Sequence, residues 1–274
     1  MPAVAKAWIA GIRSSGPWGS SLTSGEFAAI RSAGFEPVGQ VLGAAVYAAG
    51  ASSGTSCPGS FGPLVQAMYQ ARHTAIERMT TECAELGGHG VVGVRLSRGS
   101  FPLGGQEFTA IGTAVRAPGA AYGRRKPFTS DLSGQDFAKL IMTGWVPAGL
   151  ALGISIGSRH DDRITGRQVR WTAGNVEVAG WTELVTESRH EARRQLEGEV
   201  RRLGAEGVVI AAMQLQVSQR ACPVTVGRRD HLVEATLVGT AVARFSRSER
   251  HRAGLALAVM PLDSPRRQAA STRS

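Results

Sequence analysis

The sequence predicts an α+β fold made of two tandem copies of one unit, each running helix, strand, long helix, strand, strand. Three observations predict it. Blocks of sequence recur in the same order, helix-start and helix-stop residues fall at matched positions in both copies, and the last strand of each copy alternates with a period of two.

The segment Leu22 to Gly43 recurs as Leu132 to Gly153 at an offset of 110, keeping Phe27/Phe137, Gly34/Gly144, Pro37/Pro147 and Gly39/Gly149. The block from Arg72-His73 through Leu86-Gly87 to Val92 recurs from Arg189-His190 through Leu203-Gly204 to Val209 at an offset of 117, so seven residues are inserted between the blocks. Glu107 to Val115 recurs as Glu234 to Val242, offset by 127. Collinear repetition of this extent marks one structural unit used twice.

Each element has a local reason. Thr23-x-x-Glu26 starts a helix as a capping box and Gly34 stops it; Ser133-x-x-Asp136 and Gly144 do the same in the second copy. Pro37 and Pro147 open apolar, glycine-containing runs, Val38 to Tyr47 and Ala148 to Ile156, that predict mostly buried strands. Long helices follow over Leu64–Leu86 and Trp181–Leu203, closed by Gly87 and Gly204. Strands are predicted at Gly90–Leu96 and Glu107–Val115, and at Gly207–Leu215 and Glu234–Val242. In the last of these, Glu107, Thr109, Ile111, Thr113 and Val115 share one face. Gly112 and Gly239 on the small opposite face predict the close approach of another backbone or of the long helix. The boundaries that follow are an N-terminal extension 1–17, units 18–118 and 127–246, a linker 119–126, and a basic tail 247–274 of disorder-like composition.

Composition excludes several classes. The 274 residues are 43% hydrophobic and 19% charged, as in globular proteins. No run reaches the roughly 18 apolar residues of a membrane span, and no signal pattern opens the chain, which predicts a cytoplasmic protein without a membrane partner. Cys57, Cys83 and Cys222 are odd in number and far apart, which argues against a disulfide framework or a zinc ribbon. The net charge of +10 is almost all arginine and invites a polyanion-binding reading. Against it, the second long helix interleaves Arg189, Arg193, Arg194, Arg201 and Arg202 with Glu187, Glu191, Glu197 and Glu199, a salt-bridge-laced face. Nucleic acid is therefore the least favoured partner. No nucleophile elbow, P-loop, H-E-x-x-H or dinucleotide fingerprint occurs, so no catalysis is expected.

The polar candidates divide into two sets. His73 and His190 occupy matched positions and are candidates for a metal or proton role, although their helix phase, opposite the apolar stripe, favours solvent or a subunit contact. Cys222, with His231 and Glu234 in one loop region, offers thiolate, imidazole and carboxylate, a donor set for a soft divalent metal such as zinc or copper; Glu107 is the matched acid of the first copy. Arg72 and Arg189 flank the apolar stripes and require carboxylate partners, for which Glu107 and Glu234 are the matched acids, within a unit or across a subunit interface.

The block Leu86-Gly-Gly-His-Gly-Val-Val-Gly-Val-Arg95, followed by Gly112-Thr-Ala-Val115, resembles the YbjQ family of heavy-metal-binding domains. The second copy resembles it through Leu203 to Val209 and Gly239 to Val242, departing where Ile210-Ala211-Ala212 replaces Gly93-Val94-Arg95. The resemblance implies a dodecin-like β-α-β-β fold, preceded here by a short helix, that assembles into a pentameric β/α-propeller ring. It implies a non-enzymatic, ring-forming homo-oligomer that binds heavy metal or a small ligand. The alternatives are a scaffold without ligand and, less favoured, an arginine-rich polyanion binder. Nothing in the sequence names a partner for the tail.

Overall fold

A computed structural model describes residues 10–11, 19–48, 61–102, 105–119, 126–170, 172, 174–222 and 229–245. Most of the extension 1–17, most of the linker 119–126, the tail 247–274, and Cys57 lie outside these residues.

The first half runs α1 (Ser24–Ser32), β1 (Glu36–Tyr47), α2 (Gly62–Glu85), β2 (Gly90–Ser100) and β3 (Gln106–Arg116). A short β4 (Phe128–Thr129) leads into α3 (Gly134–Met142), β5 (Trp145–His160), a short α4 (Arg163–Gln168), α5 (Ala179–Arg202), β6 (Gly207–Ala221) and β7 (Arg229–Arg244). The helix starts are chemical. Thr23 accepts from the Glu26 amide while the Glu26 carboxylate accepts from the Thr23 amide, a complete capping box, and Ser133 caps α3 through the Asp136 amide. Gly34 and Gly144 both stop their helices at φ 86°, a left-handed conformation that glycine adopts without strain.

Two sheets result, with strand orders β1-β3-β2-β4 and β5-β7-β6. All pairings are antiparallel except β2 with β4. Matched irregularities recur at Pro37/Gly39 and Pro147/Gly149, and again at Val92/Arg95 and Ile210/Ala212. The inserted segments depart from expectation. Of residues 216–233, expected as a loop, 216–221 extend β6 and 229–233 extend β7 as a longer antiparallel pair, and β5 runs on to His160 to pair with β7.

The long helices lie on the sheets where side chains vanish. A Cβ on Gly43 would sit 2.0 Å from the Ala75 carbonyl oxygen of α2, and one on Gly153 would sit 2.0 Å from that of Ala192 in α5. The matched Gly112 and Gly239 instead face the neighbouring strand, where a Cβ would lie 3.2 Å from the Val92 oxygen and 2.6 Å from the Val209 oxygen. Gly153→Ala therefore forces α5 off its sheet. We expect a loss of about 1–3 kcal/mol, read as a lower midpoint of thermal unfolding; an unchanged midpoint would show that the helix shifts without strain.

Among the described residues three of the four core clusters cross the linker, while the fourth, around Ala192 and Leu196, lies within the second half. Ile30, Val92 and Val115 of the first half pack with Leu132, Phe137 and Ile141 of the second. Leu150 and Leu152 join Val41, Ala75 and Met79, while Ile154 joins Met68, Ala71 and Phe108. Each half of the chain thus supplies part of the other's burial. Among the described residues, no helix is long and apolar enough to cross a membrane.

Candidate functional site

Where the halves meet they form a cleft of about 550 Å³, lined among others by Arg72, Arg95, Arg98, Asp131, Gln216 and Glu234. Arg98 grips both Glu234 oxygens through one guanidinium nitrogen, at 2.8 and 2.9 Å, and donates to Gln216 Oε1 at 2.5 Å. Arg72 is buried beside this pair. Its guanidinium lies 4.8 Å from the Phe108 ring centroid and donates to the Met68 carbonyl at 3.4 Å. Burial pushes the Arg72 guanidinium down to about 10, opposed by the nearby Glu234 carboxylate. The expected matched pairs are therefore rearranged. Arg72 faces Glu234 of the other half, because α2 packs across both sheets; Glu107 stands on β3 opposite Val46 and Gly99, and Arg189 is exposed on α5.

The matched histidines differ in the same way. His73 Nε2 lies 3.0 Å from Glu199 Oε1 and the ring stacks on Tyr69, so this histidine joins the two halves. Glu199 also accepts from the Leu152 amide at 3.0 Å, and its counterpart Glu82 accepts from the Leu42 amide at 2.6 Å. Burial raises the Glu82 carboxyl. His190 is exposed on α5. That helix carries the expected lacing of charges, with Arg193 and Arg201 on Glu197, Arg194 on Glu191 and Arg202 on Glu199.

Beside Asp230 of its own loop region, Cys222 has a neighbour on β5, His160, that the sequence does not group with it. Its sulfur, one ring nitrogen of His160 and one carboxylate oxygen of Asp230 lie within 4.8 Å of one another. Strand alternation explains why His231 is absent from this set. Asp230 pairs with His160 in the β5–β7 register, so His231 points to the opposite face, where its Nε2 meets Asp161 Oδ1 at 2.6 Å and its ring meets Trp181 at 4.9 Å. Glu234 is committed to Arg98. The alternation of Asp230, Leu232 and Glu234 along one strand is the sequence signal that locates this face.

Cys83 is a different kind of thiol. It is fully buried, donates to the Gly90 carbonyl at 3.3 Å, and burial pushes it up to about 12. Its peptide should take up no iodoacetamide from the native chain at pH 8 and should be alkylated on denaturation. Native labelling of that peptide by mass spectrometry would contradict the packing.

Comparison with known proteins gives this geometry a family. Residues 38–118 match the YbjQ family, described as "Putative heavy-metal-binding". An encapsulin nanocompartment protein, Rv1762c of Mycobacterium tuberculosis, is 35% identical over 254 residues, covering 89% of this chain and 92% of that one. The chain belongs to the YbjQ-like family. Two relatives named UPF0145 protein share shorter stretches with this YbjQ-like chain. The one from Vibrio campbellii is 45% identical over 49 residues, 18% of this chain and 47% of its own length. The one from Thermosipho africanus is 40% identical over 62 residues, 23% of this chain and 57% of its own length. No solved structure matches. Within 38–118, the described residues of this YbjQ-like chain bring no three His, Cys, Asp or Glu donors together; the converging set is the one around Cys222.

Proposed function

We propose that this chain is a non-enzymatic module that joins head to tail with further copies of itself into a closed ring, its halves serving as two copies of one unit. One observation carries the reading, an asymmetry of burial at matched positions. Leu152 is 0% exposed beneath the first half, whereas its counterpart Leu42 is 50% exposed. Val92 is 0% exposed against Leu132 and Phe137 of the second half, whereas its counterpart Val209 is 40% exposed. The two open surfaces are thus the counterparts of the two that already pack together inside the chain. A second copy offers the complement, and repetition of one heterologous contact generates a ring when the rotation closes.

The intrachain junction supplies the detailed pattern. Ser130 donates to the Val91 carbonyl and accepts from the Val94 amide, both at 2.9 Å, and the Leu132 carbonyl accepts from Gly93 at 3.1 Å. The Ser130 hydroxyl lies 3.0 Å from that of Thr240, and the Ser20 hydroxyl lies 3.3 Å from that of the matched Thr113. The matched junction between copies sets Ser20 and Leu22 of one chain on Val208, Ile210 and Ala211 of the next. It also sets Arg189 toward Glu107 and His190 toward Glu82, as Arg72 faces Glu234 and His73 faces Glu199. The side-by-side packing of the halves favours placing both units of a chain in one layer over stacking them. The name of the Mycobacterium tuberculosis relative, a nanocompartment protein, agrees with a role in assembly. Light scattering of the full chain at micromolar concentration should give a discrete mass of several chains, and the mass of a single chain would overturn the proposal.

A further inference from the structure

The extended β6–β7 pair and the end of β5 bring together a cluster that the assembly does not use. Cys222 and Asp230 are buried, His160 is half-buried, and one donor atom from each lies within 4.8 Å of the others. His160 Nδ1 and Asp230 Oδ1 stand only 2.5 Å apart, close enough for an ion pair. Both atoms are nevertheless buried without a hydrogen bond of acceptable angle. Buried polar atoms in that condition call for a partner, and an imidazole, a carboxylate and a thiol that converge share one kind of partner, a metal cation.

We propose that His160, Cys222 and Asp230 form a binding site for a borderline-soft divalent cation of the zinc type. Thiolate and imidazole select against magnesium and calcium, and the carboxylate adds a negative charge that balances the ion with the thiolate. Three protein donors leave a tetrahedral ion one position for water or a further ligand. The surroundings fix the donors. Arg220 Nε donates to the other Asp230 oxygen, Oδ2, at 3.4 Å, and the Arg220 guanidinium rests 5.3 Å from the Phe61 ring centroid. This holds the carboxylate with Oδ1 toward His160, at the cost of a nearby positive charge that moderates affinity for the cation. His160 pairs with Asp230 in the β5–β7 register, and Arg220 pairs with Asp230 in the β6–β7 register, so three strands set the geometry.

The site lies outside residues 38–118, where the family match falls, and all three donors belong to the two insertions that distinguish the second half. It does not depend on ring formation, and either idea survives failure of the other.

The test uses the full chain stripped of metal and titrated with cobalt(II), then with zinc(II). We expect one equivalent of cobalt per chain with a thiolate-to-cobalt charge-transfer band that zinc displaces. The band should persist in Cys57→Ser and in His231→Gln, and should vanish in Cys222→Ser. His160→Gln, at a half-buried position, should lower the affinity at least tenfold while circular dichroism reports a folded chain, and it covers the case in which Cys222→Ser fails to fold. No uptake by the wild type, a band that survives Cys222→Ser, or an unchanged affinity in folded His160→Gln would each overturn the proposal and leave a His160–Asp230 ion pair.

Discussion

Replacing Val209 by lysine should break the proposed assembly into single chains while leaving each chain folded. Val209 is 40% exposed in the single chain, so a lysine there reaches water and costs the fold little. In the proposed ring it would take the position of the fully buried Val92, where an unpaired ammonium costs several kcal/mol, enough to shift an association constant by orders of magnitude. Leu42→Lys, on the opposite open face, has the same consequence for the same reason, since its counterpart Leu152 is buried. The decisive measurement is the mixture. Each variant retains the face that the other has lost, so equal amounts of the two should form pairs of chains and nothing larger by light scattering. Two lysines at the broken junction prevent a compensating ion pair. Regrowth of a full ring, or retention of the wild-type mass by either variant alone, would show that these faces are not the interface.

The parts of this architecture legible in the sequence are those with local causes. Thr23 and Glu26, Gly34 and Gly144, and the period-two run from Glu107 to Val115 each encode their element within a few residues, and the element order follows. Residues 216–221 and 229–233 read as parts of a loop because Val217, Leu232 and Val233 are sparse among Gln, Ser, Arg and Asp. The strand pair there is held by its ladder, which local patterning does not report. The donor set was hidden for that reason: Asp230 meets His160 through strand register across 70 positions, and a shift of one residue would present His231 instead. The Arg72 partner was hidden by topology. Matched spacing offers both Glu107 and Glu234 as acids, and only the packing of α2 across the second sheet selects Glu234.

That same packing predicts how the molecule unfolds. Phe137 is fully buried, with its ring centroid 5.7 Å from that of Phe128 and 5.1 Å from that of Phe35. It contacts a cluster that includes Ile30, Val92 and Val115 of the first half. Phe137→Ala removes this ring and leaves a cavity, a change that costs about 3–5 kcal/mol. If the halves carried separate cores, the loss would fall on the second half alone. Because Val92 and Val115 lose their packing too, and because Leu150, Leu152 and Ile154 complete the cores around Val41 and Met68, the first half loses part of its own burial along with the second. Hydrogen exchange on the dissociated Val209→Lys chain should therefore show peptides of β2 and β3 losing protection together with those of β5 and β7 when Phe137→Ala is added. Protection that persists in β2 and β3 while β5 and β7 exchange would mean that the interface between the halves is an addition to two self-sufficient folds. The contact proposed between copies would then be equally dispensable to the fold of each chain.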